Sequence, residues 1–249
     1  LPLLDGSYTS PANELKTDQG IASKDPFTPD AGNLDPRLDH SIGRRGLPFL
    51  DWQPHPGFDW IRDQSFAGPY TQKKLSYYKA DRGKYQDGSS WTPGYQSINF
   101  MFVRFADVLL LAAEAEVEVG SLAKALEYVN LVRARAANSA GFLTLADGTP
   151  AAKYVITPYP AFASQDFARQ AVRFERKLEL ALEGHRFFDL SRWGIAEQTL
   201  NAYFAYEGAK LTTNLGGARF TPNQDELLPI PQRQIDFQGA DVLKQNPGY

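Results

Sequence analysis

Arg173-Phe-Glu-Arg-Lys-Leu-Glu-Leu-Ala-Leu-Glu-Gly-His-Arg-Phe-Phe-Asp-Leu-Ser-Arg-Trp-Gly194 reads as the charged end of an amphipathic helix. It runs through Gly184 into a second element that mixes His, Arg, Asp and Trp. Carboxylates Glu175, Glu179, Glu183 and Asp189 are interleaved with Arg173, Arg176, Arg186 and Arg192. Residues three or four apart share one helix face, so the stretch can neutralise its own charge. A structural ion-pair lattice is therefore expected here ahead of a catalytic cluster.

Working outward, residues 101–206 are strongly helical. Phe102, Phe105, Ala106, Leu109, Leu110, Ala113 and Val117 recur at helical period. Gly120 fits a helix stop and Ser121 an N-cap. Leu122, Ala125, Leu126, Val129, Val132 and Ala136 then continue the stripe. So short a joint predicts an antiparallel hairpin. Ala112-Ala113, Gly120 and Ala125 resemble one tetratricopeptide unit, with Glu116 where a tyrosine is expected. A third helix is expected from near Ser164, with Phe167, Ala171, Phe174, Leu178 and Ala181 on one face. A fourth should run from about Ile195 to Tyr206. The fold class predicted is mostly α: helix hairpins near 102–137 and 164–206, covered by a loop-rich, aromatic-rich region. One or two helix pairs rarely suffice alone, so residues 1–100 or a further segment must cover the remainder.

Composition divides the chain in three within one expected domain, 1–249. Residues 1–100 are rich in Pro, Gly, Asp and aromatics. Asp25-Pro-Phe-Thr-Pro-Asp30 and Gln53-Pro-His-Pro-Gly57 mark turns there. Residues 101–206 are helical, and 207–249 return to turns through Gly216-Gly217, Pro222, Pro229, Pro231 and Pro247. A chain of 249 residues is long enough to bury roughly three quarters of its unfolded surface. Its 43% hydrophobic and 22% charged residues are ordinary for a globular protein.

The net charge of -3 gives no electrostatic case for nucleic acid, whose binders carry a concentrated basic surface. With zero cysteines, disulfides, thiolate metal sites and a Cys nucleophile are excluded. No apolar run reaches the roughly 18 residues that span a bilayer. Leu1-Pro-Leu-Leu-Asp-Gly6 lacks the features of a signal peptide, so the chain reads as a processed or partial product. A metal site needs three or four converging ligands. His185, beside Glu183 and Asp189, is alone, and His40 and His55 sit in loops without a His or Cys at ligand spacing. No cofactor, metal or catalytic residue is expected.

Five ordered blocks carry a resemblance to the SusD/RagB family. Asp35-Pro-Arg-Leu38 is similar to its D-P-R-L motif, and Val103-Arg-Phe-Ala-Asp-Val-Leu-Leu-Leu-Ala-Ala-Glu-Ala115 to its R-x-A-D-V-L-L helix. Asn130-Leu-Val-Arg-Ala-Arg135 resembles N-x-V-R-x-R, and the stretch quoted at the outset resembles the family's E-R…E-G-x-R…R-W-G block. Leu228-Pro-Ile-Pro-Gln232 with Gln245-Asn-Pro-Gly-Tyr249 resembles its closing segment, with Gln234 where an acidic residue is common. The resemblance implies an outer-membrane, surface-exposed nutrient-binding lipoprotein. Such a protein passes glycan to a SusC-like TonB-dependent transporter. Members are about twice this size, so the chain reads as a C-terminal portion, with the lipid anchor in the N-terminal part.

The motifs themselves look architectural. Asp35 before Pro36 suits a turn, with Arg37 poised to pair locally, and Gln245-Asn246 can satisfy backbone groups through side-chain amides. Asp107, Glu114, Arg133 and Arg135 are expected to pair between helices. Ligand contact is sought elsewhere, in residues 48–95. Three of the four tryptophans lie there, with Tyr70, Tyr77, Tyr78, Tyr85 and Tyr95. Trp and Tyr offer a flat apolar face with a polar edge, suited to the C–H faces and hydroxyl rims of sugars. The candidate ligand-binding residues are Trp52, Trp60 and Trp91, followed by Tyr70 and Tyr95; packing of the irregular region is the alternative use of these rings. The function expected is non-catalytic glycan binding. A tetratricopeptide-type protein scaffold is the alternative, and a glycosidase, which needs two carboxylates at a defined separation, the least favoured.

Overall fold

The structure, a computed structural model, describes residues 14–86 and 95–249. The chain forms two compact units, the first running to Arg186 and the second Phe187–Tyr249. As expected, it is mostly α.

The proline- and glycine-rich start forms only short elements. Helix α1 (Arg37–Ser41) leads into strands β1 (Ile42–Gly43), β2 (Pro48–Phe49) and β3 (Gln53–Pro54). Helix α2 (Gln64–Ala67) and strand β4 (Thr71–Gln72) follow. The strands pair antiparallel as β1–β4 and β2–β3. Their interior is small and mixed, with Leu47, Phe49 and Ile61 buried beside His55 and Lys73. Lys73 is satisfied there, its Nζ donating to the carbonyls of Asp39 (2.8 Å) and Pro48 (2.9 Å).

Helices α3 (Phe105–Val119) and α4 (Leu122–Ala136) form the expected antiparallel pair, joined at Gly120-Ser121. The Ser121 hydroxyl accepts from the Lys124 N–H, the N-cap read from the sequence. Helix α5 (Gln165–Glu179) packs on this pair, capped in the same way by Ser164. The core is Leu110, Ala113 and Val117 of α3, Ala125, Val129 and Val132 of α4, and Ala168 and Val172 of α5. Its small residues let the helix backbones approach closely.

Two details of the expected stripes differ. Phe102 and Phe105 are 78% and 75% exposed, because α4 and α5 cover the opposite side of α3. With the exposed Val108 and Leu111 they form a second apolar face without cover among the described residues. On α5 the buried face contains Ala168, Ala171, Val172, Glu175, Arg176 and Glu179. Phe167, Phe174 and Leu178 lie at its margin, half-buried. Charged residues occupy the inside because partners from distant segments meet them there.

The stretch 164–206 is helical but consists of three helices: α5, α6 (His185–Arg192) and α7 (Ala196–Glu207). The unit division falls within α6, so the two arms expected to form a hairpin belong to different units. Helices α8 (Thr212–Leu215) and α9 (Gln232–Gln238) follow. The second unit has its own small core of Leu190, Ala196 and Phe220. Gln245 acts as expected, accepting from the Ile230 N–H (2.7 Å) and donating to the Ile230 carbonyl (2.9 Å). Asn246 donates to the Leu228 carbonyl at 2.7 Å.

Candidate ligand-binding site

Four of the five blocks singled out in the sequence, all but the closing segment, meet in one ion-pair lattice. Asp35 accepts from the Arg37 backbone N–H and from its guanidinium (2.9 and 2.7 Å). Arg37 then reaches Glu175 at 2.6 Å and Glu179 at 3.2 Å. Arg133 takes the other Glu175 oxygen at 2.8 Å, Arg135 takes Glu179 at 2.7 Å, and Arg176 takes Asp107 at 2.7 Å. Burial disfavours the Arg37 charge, yet Asp35 and Glu175 over-compensate and push its pKa upward. The expectation that the block would pair within itself is met by Asp189–Arg192 at 2.9 Å. Glu175, Glu179 and Glu183 are instead engaged by cations from other segments, because α5 turns them inward.

Two of those cations define a loop. Lys74 Nζ donates to the carbonyls of Glu179 and Ala181 (both 3.0 Å) and to the Glu183 carboxylate (2.7 Å). Arg104 also donates to the Glu179 carbonyl (3.0 Å) and grips Glu183 with Nε (2.8 Å) and Nη2 (2.9 Å). Both cap the C-terminal carbonyls of α5, where the helix dipole favours positive charge. Burial alone would raise the Glu183 pKa, but hydrogen bonds from Arg104 and Lys74 hold it below the ordinary value. Residues 75–103 are thereby an excursion with both ends fastened to one helix terminus.

Within this excursion Leu75 adopts φ 65°, and its carbonyl accepts from Gln96 Nε2 at 2.6 Å. Asp51 accepts from the backbone N–H groups of Lys79 (2.5 Å) and Ala80 (2.9 Å). An antiparallel bridge joins Gln86 to Gln96, and Ser97 N–H donates to the Tyr85 carbonyl at 2.7 Å. Around this bridge lies an open depression of about 350 Å³, lined by Lys84, Tyr85, Gln86, Tyr95, Gln96 and Ser97. Tyr95 is 71% and Tyr85 48% exposed, with Tyr78 also exposed nearby in sequence.

Of the ligand candidates, Tyr95 lies in this depression. Trp52 is half-buried, with its ring edge-on to Tyr77 at 5.5 Å and its Nε1 donating to the Tyr77 carbonyl at 3.0 Å. Trp60 is 38% exposed and packs edge-on against Phe49 and His55. Tyr70 is half-buried, and burial pushes its phenol pKa upward. Trp91 lies outside the described residues, as does the N-terminal stretch 1–13. Tyr85, Gln86, Gln96 and Ser97 were not selected from the sequence. The repeated dipeptide Tyr85-Gln86 and Tyr95-Gln96, flanking a stretch of sequence that contains Gly and Pro, was the available signal.

His185 is not part of any group of three or more His, Asp or Glu able to hold a metal among the described residues. His40 lies on α1 and bonds the Gly141 carbonyl at 2.8 Å. His55 is buried. Its Nδ1 accepts from the Gly57 N–H (3.0 Å), so its Nε2–H faces the Thr71 hydroxyl (2.8 Å).

The SusD family model matches residues 3–249. The chain belongs to the SusD family. This SusD-family chain is 33% identical to the SusD-like protein P2 of Formosa agariphila over 201 residues, 79% of this chain and 33% of that protein. A SusD homolog from Bacteroides thetaiotaomicron superposes with a TM-score of 0.58 at 29% identity, covering 86% of this chain and 41% of that one. A SusD superfamily protein from Bacteroides vulgatus gives 0.55 at 23% identity, covering 88% and 40%, a likeness in fold alone. The chain thus spans about a third of that curated relative and about two fifths of each of those solved chains. No helix among its described residues is long and apolar enough to cross a membrane.

Proposed function

We propose that residues 1–249 act as one C-terminal module of an outer-membrane, surface-exposed glycan-binding lipoprotein. In this reading it holds oligosaccharide without cleaving it and passes it to a SusC-like TonB-dependent transporter. Family membership supports the general role. The observation that carries the site is the tyrosine-lined depression on a loop fastened at both ends. Tyr95 and Tyr85 offer exposed flat faces, while Gln86, Gln96 and Ser97 supply the polar edge. Trp52 serves mainly as packing against Tyr77 of the loop and Trp60 as packing against Phe49 and His55, and Trp91 stays in the proposal as a neighbour of Tyr95 in sequence.

Binding is favoured over hydrolysis by where the carboxylates are. Among the described residues no carboxylate lines the depression, whereas Glu175, Glu179 and Glu183 are turned into the lattice. Glycosidases place two carboxylates across the scissile bond. A protein-interaction role has separate support in the uncovered apolar face of α3, since exposed apolar patches mark interaction surfaces. A glycan-binding screen of the chain, run beside a reducing-end assay, tests the proposal. Binding without release of new reducing ends is expected. Turnover of a bound glycan would overturn the non-catalytic reading, and absence of any glycan binding would leave the scaffold reading in its place.

A further inference from the structure

We infer that Asp51 and Trp52 are positioning residues for the depression, holding Tyr85 and its neighbours in the shape that a ligand meets. The inference rests on the binding role proposed above for the same loop. Neither residue lines the depression itself. Leu50, Asp51 and Trp52 join β2 to β3, and the Trp52 N–H closes the turn on the Phe49 carbonyl at 3.1 Å. The turn stands on a packed base, since Phe49 is buried and lies edge-on to Trp60 at 5.5 Å. Leu50 takes φ 51°, a left-handed backbone that leucine adopts only at a cost, and such residues persist where their surroundings over-determine them. From this turn the Asp51 carboxylate accepts from the Lys79 and Ala80 N–H groups (2.5 and 2.9 Å), one on each oxygen. Trp52 Nε1 donates to the Tyr77 carbonyl at 3.0 Å, with the two rings edge-on at 5.5 Å. Asp51 thus satisfies the N–H groups that open the single 3-10 turn Lys79–Asp81, as a helix N-cap does, but from 28 residues away.

The hold passes along the backbone to the depression. The Arg82 N–H donates to the Lys79 carbonyl at 3.1 Å and the Lys84 N–H to the Asp81 carbonyl at 2.9 Å, so Lys79 to Lys84 is a run of closed turns. Lys84 and Tyr85 then line the depression, where the Tyr85 carbonyl meets the Ser97 N–H beside the Gln86–Gln96 bridge. A single bridge does not hold its own geometry in water, where even isolated hairpins are marginal. Asp51 and Trp52 brace the arm that carries Tyr85, and the bond from Gln96 to the Leu75 carbonyl braces the arm that carries Tyr95. A loop already held in its binding shape loses less conformational entropy when a ligand arrives. Removing Asp51 or Trp52 should therefore weaken binding through entropy and leave the ligand contacts, and with them most of the enthalpy, in place.

The test compares the 249-residue chain with Asp51→Ala, Asp51→Asn, Trp52→Ala, Asp51→Ala/Trp52→Ala, Tyr85→Ala and Tyr95→Ala, each shown folded by circular dichroism. The first measurement needs no ligand and follows amide hydrogen exchange by nuclear magnetic resonance. The Ser97 N–H should exchange about tenfold faster in Asp51→Ala and in Trp52→Ala, while the Val129 N–H in the helical core keeps its rate. Asp51→Asn, which retains an acceptor oxygen, should show a smaller change. An unchanged Ser97 rate, or equal acceleration at Val129, would overturn the inference. The second measurement is calorimetric titration with a panel of neutral and uronic-acid oligosaccharides. Each single alanine variant at Asp51 or Trp52 should weaken the tightest-bound oligosaccharide about tenfold, mainly through entropy. The double variant should lose less than the product of the two, because both residues act on one stretch. Trp52→Ala weakened through enthalpy beside a neutral Asp51→Ala would overturn the inference and return Trp52 to direct ligand contact. If both tyrosine variants bind every oligosaccharide as the unaltered chain does, the depression is not the site and the inference falls with it. The exchange data tell that failure apart from failure of the brace.

Discussion

Arg37 Nη1 lies 2.6 Å from Glu175 Oε1, across 138 residues of sequence, and both side chains are buried. The other Glu175 oxygen is held by Arg133. Removing one partner of such a pair leaves an uncompensated buried charge, which typically costs about 3–5 kcal/mol. Glu175→Leu should therefore lower the urea midpoint strongly, since it removes a buried carboxylate shared by two buried guanidinium groups. The double variant Arg37→Met/Glu175→Leu should recover part of the loss. Additive losses in the double variant would show that the pair is not coupled.

His55 links stability to pH. Burial, with a smaller contribution from Lys73, pulls its pKa from 6.5 down to about 4. Its neutral form is the one the fold accepts, since Nδ1 must receive the Gly57 N–H. Above about pH 6.5 the ring is neutral in both folded and unfolded chains, and the stabilisation is complete. As pH falls from about 6.5 toward about 4, only the unfolded chain takes up the proton, and up to about 3 kcal/mol is lost. His55→Gln should be less stable at pH 7, yet its melting temperature should fall less steeply across this window. Parallel slopes for the two proteins would refute the assignment.

The two apolar faces of α3 should respond oppositely. Leu110 is fully buried in the core, so Leu110→Ala should cost about 2–5 kcal/mol. Phe105→Ser, on the uncovered face, should change stability by no more than about 0.5 kcal/mol and reduce binding of a hydrophobic dye. A large destabilisation by Phe105→Ser would mean that face is packed in the isolated chain.

The fastening of the loop is testable by protease. Lys74→Met and Arg104→Met remove the two groups that share the Glu179 carbonyl. Trypsin should then cut faster at Lys79, Arg82 and Lys84 within the excursion, with little change at Arg169, which lies on α5 outside it. Uniform acceleration at all sites would indicate general unfolding and remove the clamp from the account.

Much of this architecture was legible because it is local. Gly120, Ser121 and Ser164 mark helix ends through their own neighbours, and Gln245 mends the backbone as its amide allows. The face of α5 was not legible in the same way. Phe167 and Phe174 are more apolar than Glu175 and Glu179, so periodicity favours burying the rings. What buries the carboxylates is the arrival of Arg37, Arg133, Arg135 and Arg104, and helical spacing carries no record of those partners. The site shows the same limit. Tryptophan content pointed to residues 48–95, but whether an aromatic packs or faces outward depends on what lies beneath it. Trp52 has Tyr77 there, and Tyr95 stands clear.

The shared landing point of Lys74 and Arg104 has a practical consequence. Everything that touches the depression lies between these two residues, and everything they hold lies outside it. The segment 75–103 is therefore a natural cassette: its contents can be exchanged between relatives while the two flanking cations keep the seat unchanged. Exchanges that also replaced Lys74 or Arg104 would move the loop without its mounting.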